Sequence, residues 1–401
     1  MYQLLKLKNN GLKKEAIDFA KNLVLIPSVS LNEKRAAEFS ANAMRDSGFD
    51  KVFIDDCGNA VGLVMGRSAG PNVLLLSHLD TVLPPERGAG LIKDGYLYGS
   101  GSSDCKSGVA AHIFAGCLLK RSLLPLNGNL IVAATVAEEN GCSVGTKWLL
   151  EKTLPQLGLK ADYVILGETT NLGLYYGHDG WVEFDVKVVG SNPFKVGDAA
   201  DSIFNDIDTI SRENRTQNLD SWKVNKPFIE ENEGLREATI KVERRMNLSE
   251  DTGYITSQLK HEAVMAAQNS GAVAIDVAVR TESQKLYTGH SIAVKKISNA
   301  WSVDPFCPLM EKARGALAAA GCKAEAGKWK LGRLGMGTSG SVILDEFKIP
   351  VIGYGPGDED NSHTENERVK LDNITEAVYG TSAIVHSLIG IPVFGWSSDE
   401  I

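Results

Sequence analysis

Apolar runs that stop abruptly on a histidine or a carboxylate constrain this chain more than any other feature. NVLLLSHLD (72–80) runs into His78 and Asp80, and NLIVAATVAEE (129–139) runs into Glu138 and Glu139. IPVIGYGPGDEDNSH (349–363) runs into a polar loop holding His363, and LYGSGSSDCKSG (97–108) sets Asp104 among small residues ahead of a helical stretch. Continuous Val, Ile and Leu read as strands buried on both faces, the mark of a parallel sheet. In open α/β sheets ligands bind beyond the carboxyl ends of the strands. Side chains from distant parts of the text converge there, and these residue types point to a metal centre built from His and carboxylates.

A chain of 401 residues exceeds one ordinary core, so two domains are expected. From 73 to 168 strands alternate with helical patterns, the grammar of a mainly parallel sheet covered on both faces. Near 180 the grain changes. WVEFDVKVVG (181–190), EATIKVERRMNL (237–248) and AVAIDVAVR (272–280) bracket two helical stretches, and the first two alternate apolar and polar residues. Strand–helix–strand–strand–helix–strand is the order of a small α+β unit with one open sheet face. The expected division is a catalytic domain from 1–179 and 302–401, interrupted by an inserted unit at 180–301.

The net charge of −8 argues against a nucleic-acid partner, because phosphate binding needs clustered Lys and Arg. No apolar run approaches the roughly 20 residues needed to span a bilayer, so no membrane partner is expected. The opening stretch is broken by charges and reads as an amphipathic helix rather than a signal peptide. Six scattered cysteines without a CxxC pair fit a reducing compartment, and the cytoplasm is the expected location.

Each candidate residue has a chemical and a plainer reading. On extended backbone His78 and Asp80 face the same way, so either both bind metal or Asp80 fixes the His78 tautomer from behind. Asp104 also reads as a helix N-cap, a role compatible with ligation because a carboxylate has two oxygens. The adjacent Glu138 and Glu139 point in different directions and can divide the work, one on a metal and one taking a proton from water. They could equally form a solvated acidic turn. Glu168 ends YVILG. His112 and His386 lie in apolar helical stretches and read as structural, His261 as surface, and His178 and His290 stay undecided.

Together the blocks SHLDTV, YGSGSSDCKSG, EEN, GETTNLGLYYGHDG, ERR, GTSGS and GYGPGDEDNSHTENERV resemble the co-catalytic zinc metallohydrolases of acetylornithine deacetylase, succinyl-diaminopimelate desuccinylase, aminoacylase and glutamate carboxypeptidase. The resemblance covers nearly the whole chain and is strongest to a bacterial branch of hydrolases linked to selenium metabolism. It implies a phosphorylase/hydrolase-like catalytic domain with an inserted ferredoxin-like lid, and homodimers formed through that lid. It also implies two divalent ions, Zn²⁺ with Co²⁺ or Mn²⁺ as alternatives. His78 and Glu168 would complete one, Glu139 and His363 the other, with Asp104 bridging, Glu138 as general base and Asp80 orienting His78. Arg244 or Arg245 would take a substrate carboxylate, and Gly337, Thr338 and Ser339 would offer backbone groups to the substrate. The implied activity is hydrolysis of a C–N amide or peptide bond in a small amide or short peptide.

One departure stands out. The lid histidine that the family commonly uses to hold the oxyanion is missing from VVGSNPFKVGDAADSI, which makes His178 and His290 candidate substitutes. It also supports one alternative, a binding protein of the same fold with lost turnover; a hydrolase that uses a single metal is a separate alternative.

Overall fold

The computed structural model describes residues 1–392 apart from 84–87, 140–141, 217–221, 233–234, 272 and 333. Its centre is strand Val73–His78, buried along its whole length. Leu130–Thr135 pairs with it in parallel on one side and Tyr163–Leu166 on the other, and Val351–Gly353 continues the parallel order. The residues divide by parity. Val73 and Leu75 join the core under helices Tyr2–Val24, Lys106–Ser122 and Leu371–Ile389, while Leu74 and Leu76 join a second core with Trp301, Trp329 and Ile343. Both faces are therefore apolar, which is why the strand reads as an unbroken run.

The parallel order stops at the flanks. Ala60–Val64 runs antiparallel to Leu130–Thr135, and Lys51–Ile54 runs antiparallel to Ala60–Val64. A tight turn joins these two, its Asp55 carboxylate accepting the N–H groups of Cys57, Gly58 and Asn59. A connection so short can join only antiparallel neighbours. At the other edge Leu174–His178 meets Val351–Gly353 and Trp301–Ser302 antiparallel, and Ala326–Trp329 parallel.

The opening helix, Tyr2–Val24, buries Leu5, Leu12, Ala16, Phe19 and Leu23, the single stripe expected of an amphipathic helix. No helix among the described residues is long and apolar enough to cross a membrane.

A second sheet is drawn from residues between 180 and 298. Its path runs Trp222–Val224, Leu235–Met246, Gly180–Gly190, Ala274–Val279, antiparallel throughout. Val182, Phe184, Val186 and Val188 point to one side and pack against Val196, Ala199 and Ile203 of helix Pro193–Thr216 and Ile255 and Leu259 of helix Thr252–Ala266. The intervening residues are partly or fully exposed, apart from buried Gly180 and Trp181 at the strand's start, and this produces the alternation in the text. A hairpin of Thr281–Lys285 and Ser291–Lys295 reaches back to the first sheet. There the Tyr287 hydroxyl donates to the Gly58 carbonyl at 2.9 Å, and the His290 ring packs on Trp148.

Candidate metal centre

Adjacent parallel strands deliver their ends to one place. His78 is the last residue of its strand, Glu138 and Glu139 follow Leu130–Thr135, and Glu168 follows Tyr163–Leu166. His363 comes from the loop beyond Val351–Gly353, and Asp104 from the loop ahead of helix Lys106–Ser122. His78 Nε2 lies 3.3 Å from Asp104 Oδ1 and 3.6 Å from Glu168 Oε2. His363 Nε2 lies 3.0 Å from Glu139 Oε1 and 3.4 Å from Asp104 Oδ2. Asp104 thus turns one oxygen to each imidazole. Two clusters, His78–Asp104–Glu168 and Asp104–Glu139–His363, hold their donor atoms within 4.8 Å of one another. Cys105 also falls in the first, but burial and the Glu168 charge push its thiol well above the ordinary range, and it donates to the Gly167 carbonyl.

Asp80 lies behind His78. The His78 Nδ1–H donates to the Asp80 main-chain carbonyl at 3.0 Å, which directs Nε2 toward Asp104 and Glu168. The Asp80 carboxylate accepts the N–H groups of Glu138 (3.1 Å) and Glu139 (2.9 Å) and the Ser30 hydroxyl (2.7 Å). With its oxygens so engaged it orients, and does not join either cluster.

The charges do not balance within the protein. Burial, reinforced by Glu168 and Glu139, holds the Glu138 carboxyl well above its usual range, and burial lifts Glu139 to about 6 and raises Glu168. Burial would lower both imidazoles, but Glu168 beside His78 and Glu139 beside His363 reverse this and hold them high. Asp104, hydrogen-bonded to both, is held low against its burial. Glu168 Oε1 is buried with no hydrogen-bond partner, an open lone pair in a place without solvent. A crowd of buried carboxylates around two imidazoles fits divalent cations, which would neutralise the charge and satisfy that oxygen.

A cleft opens over these groups, lined also by Ser143, Thr169, Trp329, Met336, Gly337 and Thr338. Of the substrate residues expected from the sequence, Gly337 and Thr338 line it, while Ser339 is buried with its hydroxyl 2.8 Å from that of Thr146. Three other expectations need correction. His178 has both ring nitrogens engaged: Nδ1–H donates to the Asp179 carbonyl and Nε2 accepts the Thr338 N–H, while burial lowers its pKa to about 4. It positions Thr338 and has no proton to offer an oxyanion. His290 is exposed on the hairpin beside Trp148, outside the cleft. Arg244 lies over the Trp222 ring and pairs with Glu250, and Arg245 donates to the Leu331 and Met336 carbonyls. Neither guanidinium lines the cleft; Arg245 shapes the loop that does.

Two buried carboxylates escaped the sequence reading. Glu33 accepts the N–H groups of Leu31 and Ala137, and Glu367 accepts those of Gly101, Ser103 and Asp104. Neither follows an apolar run, so nothing in the text separates them from solvated acids.

Residues 74–387 match the model of Peptidase family M20/M25/M40. An uncharacterized protein of Escherichia coli K12, YgeY, is 26% identical over 92% of this chain and 93% of its own. A LysW-lysine hydrolase of Deinococcus radiodurans is 27% identical over 94% of this chain and 97% of its own. Among solved structures, the Bacillus subtilis YXEP protein, a dinuclear metal binding peptidase, superposes with a TM-score of 0.67 at 14% identity, covering 94% of this chain and 98% of that one.

Proposed function

Because the chain belongs to Peptidase family M20/M25/M40, a family of metallohydrolases acting on amide and peptide bonds, we propose that it hydrolyses a C–N bond of a small amide or short peptide with Glu138 as general base. The observation that carries this reading is Asp104, whose two oxygens face two separate His–carboxylate clusters. His78, Asp104 and Glu168 would hold one divalent cation and Asp104, Glu139 and His363 the other, with Zn²⁺ favoured by the mixed nitrogen and oxygen donors. When bound, such a pair supplies Lewis-acid polarisation of the carbonyl and acidifies water.

The protein's own part is to place and move protons. Glu138 is buried at the cleft wall, with the Ser143 hydroxyl 3.3 Å from its Oε1. Its raised proton affinity suits a group that takes a proton from the attacking water and returns it to the leaving amine. Asp80 holds the His78 tautomer and, through two N–H groups, the turn that carries Glu138 and Glu139. Trp329, Leu331 and Met336 give the cleft an apolar wall that would keep water from a bound substrate.

The lid we assign is residues 180–301, and its edge strand Phe228–Asn232 exposes Phe228 and Ile229, which supports pairing into a homodimer. The cysteines form no disulfide, which supports a cytoplasmic setting. A binding protein without turnover would have no use for a buried, partnered Glu138.

The test is a turnover screen of metal-loaded protein over N-acyl amino acids, dipeptides and ureido or carbamoyl compounds, followed by Glu138→Ala. Loss of the base is expected to lower kcat about 10²–10⁴-fold with both cations retained by elemental analysis. Unchanged turnover would reject the base, and a single equivalent of cation at saturation would favour the one-metal version.

A further inference from the structure

We propose that Glu367 is a positioning residue that fixes the distance between Asp104 and His363 and so sets the affinity of the second cation position; this rests on the dinuclear reading above. The two clusters share Asp104, but the second takes two of its three residues from loops where the first takes one. His78 and Glu168 stand at or just beyond the ends of hydrogen-bonded neighbouring strands, so the sheet fixes their separation. Asp104 and His363 both come from loops, and the second position depends on how those loops sit against each other.

Glu367 joins them. It follows His363 by four residues and is buried outside the cleft. Its Oε1 accepts the N–H groups of Ser103 and Asp104, each at 2.8 Å, and its Oε2 accepts that of Gly101 at 3.0 Å. Its main-chain carbonyl accepts the Gly99 N–H at 2.9 Å. At the other end of the His363 loop, the Ser103 hydroxyl donates to the Asp358 carbonyl and accepts the Asp358 N–H. The loop 99–104 is thereby pinned before and after His363, which itself holds a left-handed φ of 56° that a non-glycine residue adopts only when its surroundings impose it. A turn presenting several N–H groups inward is a cradle for an anion. Such charge-assisted bonds are stronger than neutral ones. An amide at 367 would keep one acceptor and turn a donor toward a backbone N–H.

The experiment is calorimetric titration of the metal-stripped full chain with Zn²⁺, for the unchanged protein and Glu367→Gln, with kcat and KM measured on the substrate found by the screen. The unchanged protein is expected to take two equivalents. In Glu367→Gln the first, held also by two residues at the strand ends, should weaken much less than the second, which should bind about 10–100-fold more weakly, as supporting residues of metal sites behave. With metal held below saturation of the second position, kcat should fall while KM holds.

Equal weakening of both positions would mark a merely structural role and overturn the proposal, as would unchanged affinity at both. Should Glu367→Gln fail to fold, Glu367→Asp keeps the charge but shortens the reach; the same selective loss is expected and its absence overturns the role. Fewer than two equivalents on the unchanged chain would bring down the dinuclear reading and this role with it. Two equivalents there without selective loss in the variant would bring down this role alone.

Discussion

Glu33 occupies a fully buried position behind Asp80. Its Oε1 accepts the N–H groups of Leu31 at 2.8 Å and of Ala137 at 3.1 Å, just before Glu138 and Glu139, while its Oε2 has no hydrogen-bond partner. Burial, and then the charge of Asp80, push this carboxyl up to about 7. The unfolded chain releases the same proton near its ordinary value of about 4.3, so the folded state holds it over a wider range. The stability it contributes is full below the ordinary value and is lost as pH rises through about 7. Glu33→Gln should therefore flatten the fall in Tm between about pH 4 and pH 7, with a gain over the parent above that range. The gain should be of order 3–4 kcal/mol at roughly 1.4 kcal/mol per pKa unit. Parallel Tm curves for the two proteins would refute this assignment of the slope. His78, Asp104, Glu138, Glu139, Glu168 and His363 were legible in the text because most of them terminate apolar runs. Glu33 and Glu367 were not, because each accepts N–H groups from segments 104 and 263 residues away, a relation no local pattern records.

Elements place these residues by backbone contact as much as by side chains. Helix Lys106–Ser122 begins right after Asp104, and a Cβ at Gly108 would collide with the Gly167 carbonyl at the end of strand Tyr163–Leu166. That contact brings Asp104 and Glu168 to one cluster. Gly108→Ala should push the helix start off the strand, costing about 1–3 kcal/mol as overpacking does. It should also weaken cation binding at the His78 cluster; calorimetry and thermal unfolding read the two effects, and a variant with unchanged affinity would remove this contact from the account.

The central strands were legible for the same reason that they are buried, since two apolar faces give an unbroken run. The direction of the antiparallel flanks is set instead by short turns such as the one at Asp55. The two arginines show another limit. Strand alternation puts Arg244 and Arg245 on opposite faces, but only packing reveals that Arg244 meets Trp222 and Glu250 while Arg245 holds the 331 and 336 carbonyls.

At the scale of the molecule, the two sheets touch through the hairpin that carries Tyr287 as well as through the chain crossings. The phenol rests on Gly58, whose φ of 112° suits glycine, and a Cβ there would lie 2.5 Å from the ring. Asn59, next in sequence, hydrogen-bonds Val136 and Gly145 on either side of the Glu138 turn. Gly58→Ala is expected to lift the arm and raise KM more than it lowers kcat, while Tyr287→Phe, losing one hydrogen bond to a carbonyl, should cost about 0.5–1.5 kcal/mol in stability with little kinetic effect. Steady-state kinetics on both variants separate these outcomes, and identical KM values would mean that the arm carries no load. The spacing between the halves is thus kept by an atom that is not there. A wedge one methyl wide, driven in at the outer wall, would be felt inside as a change in the size of molecule admitted.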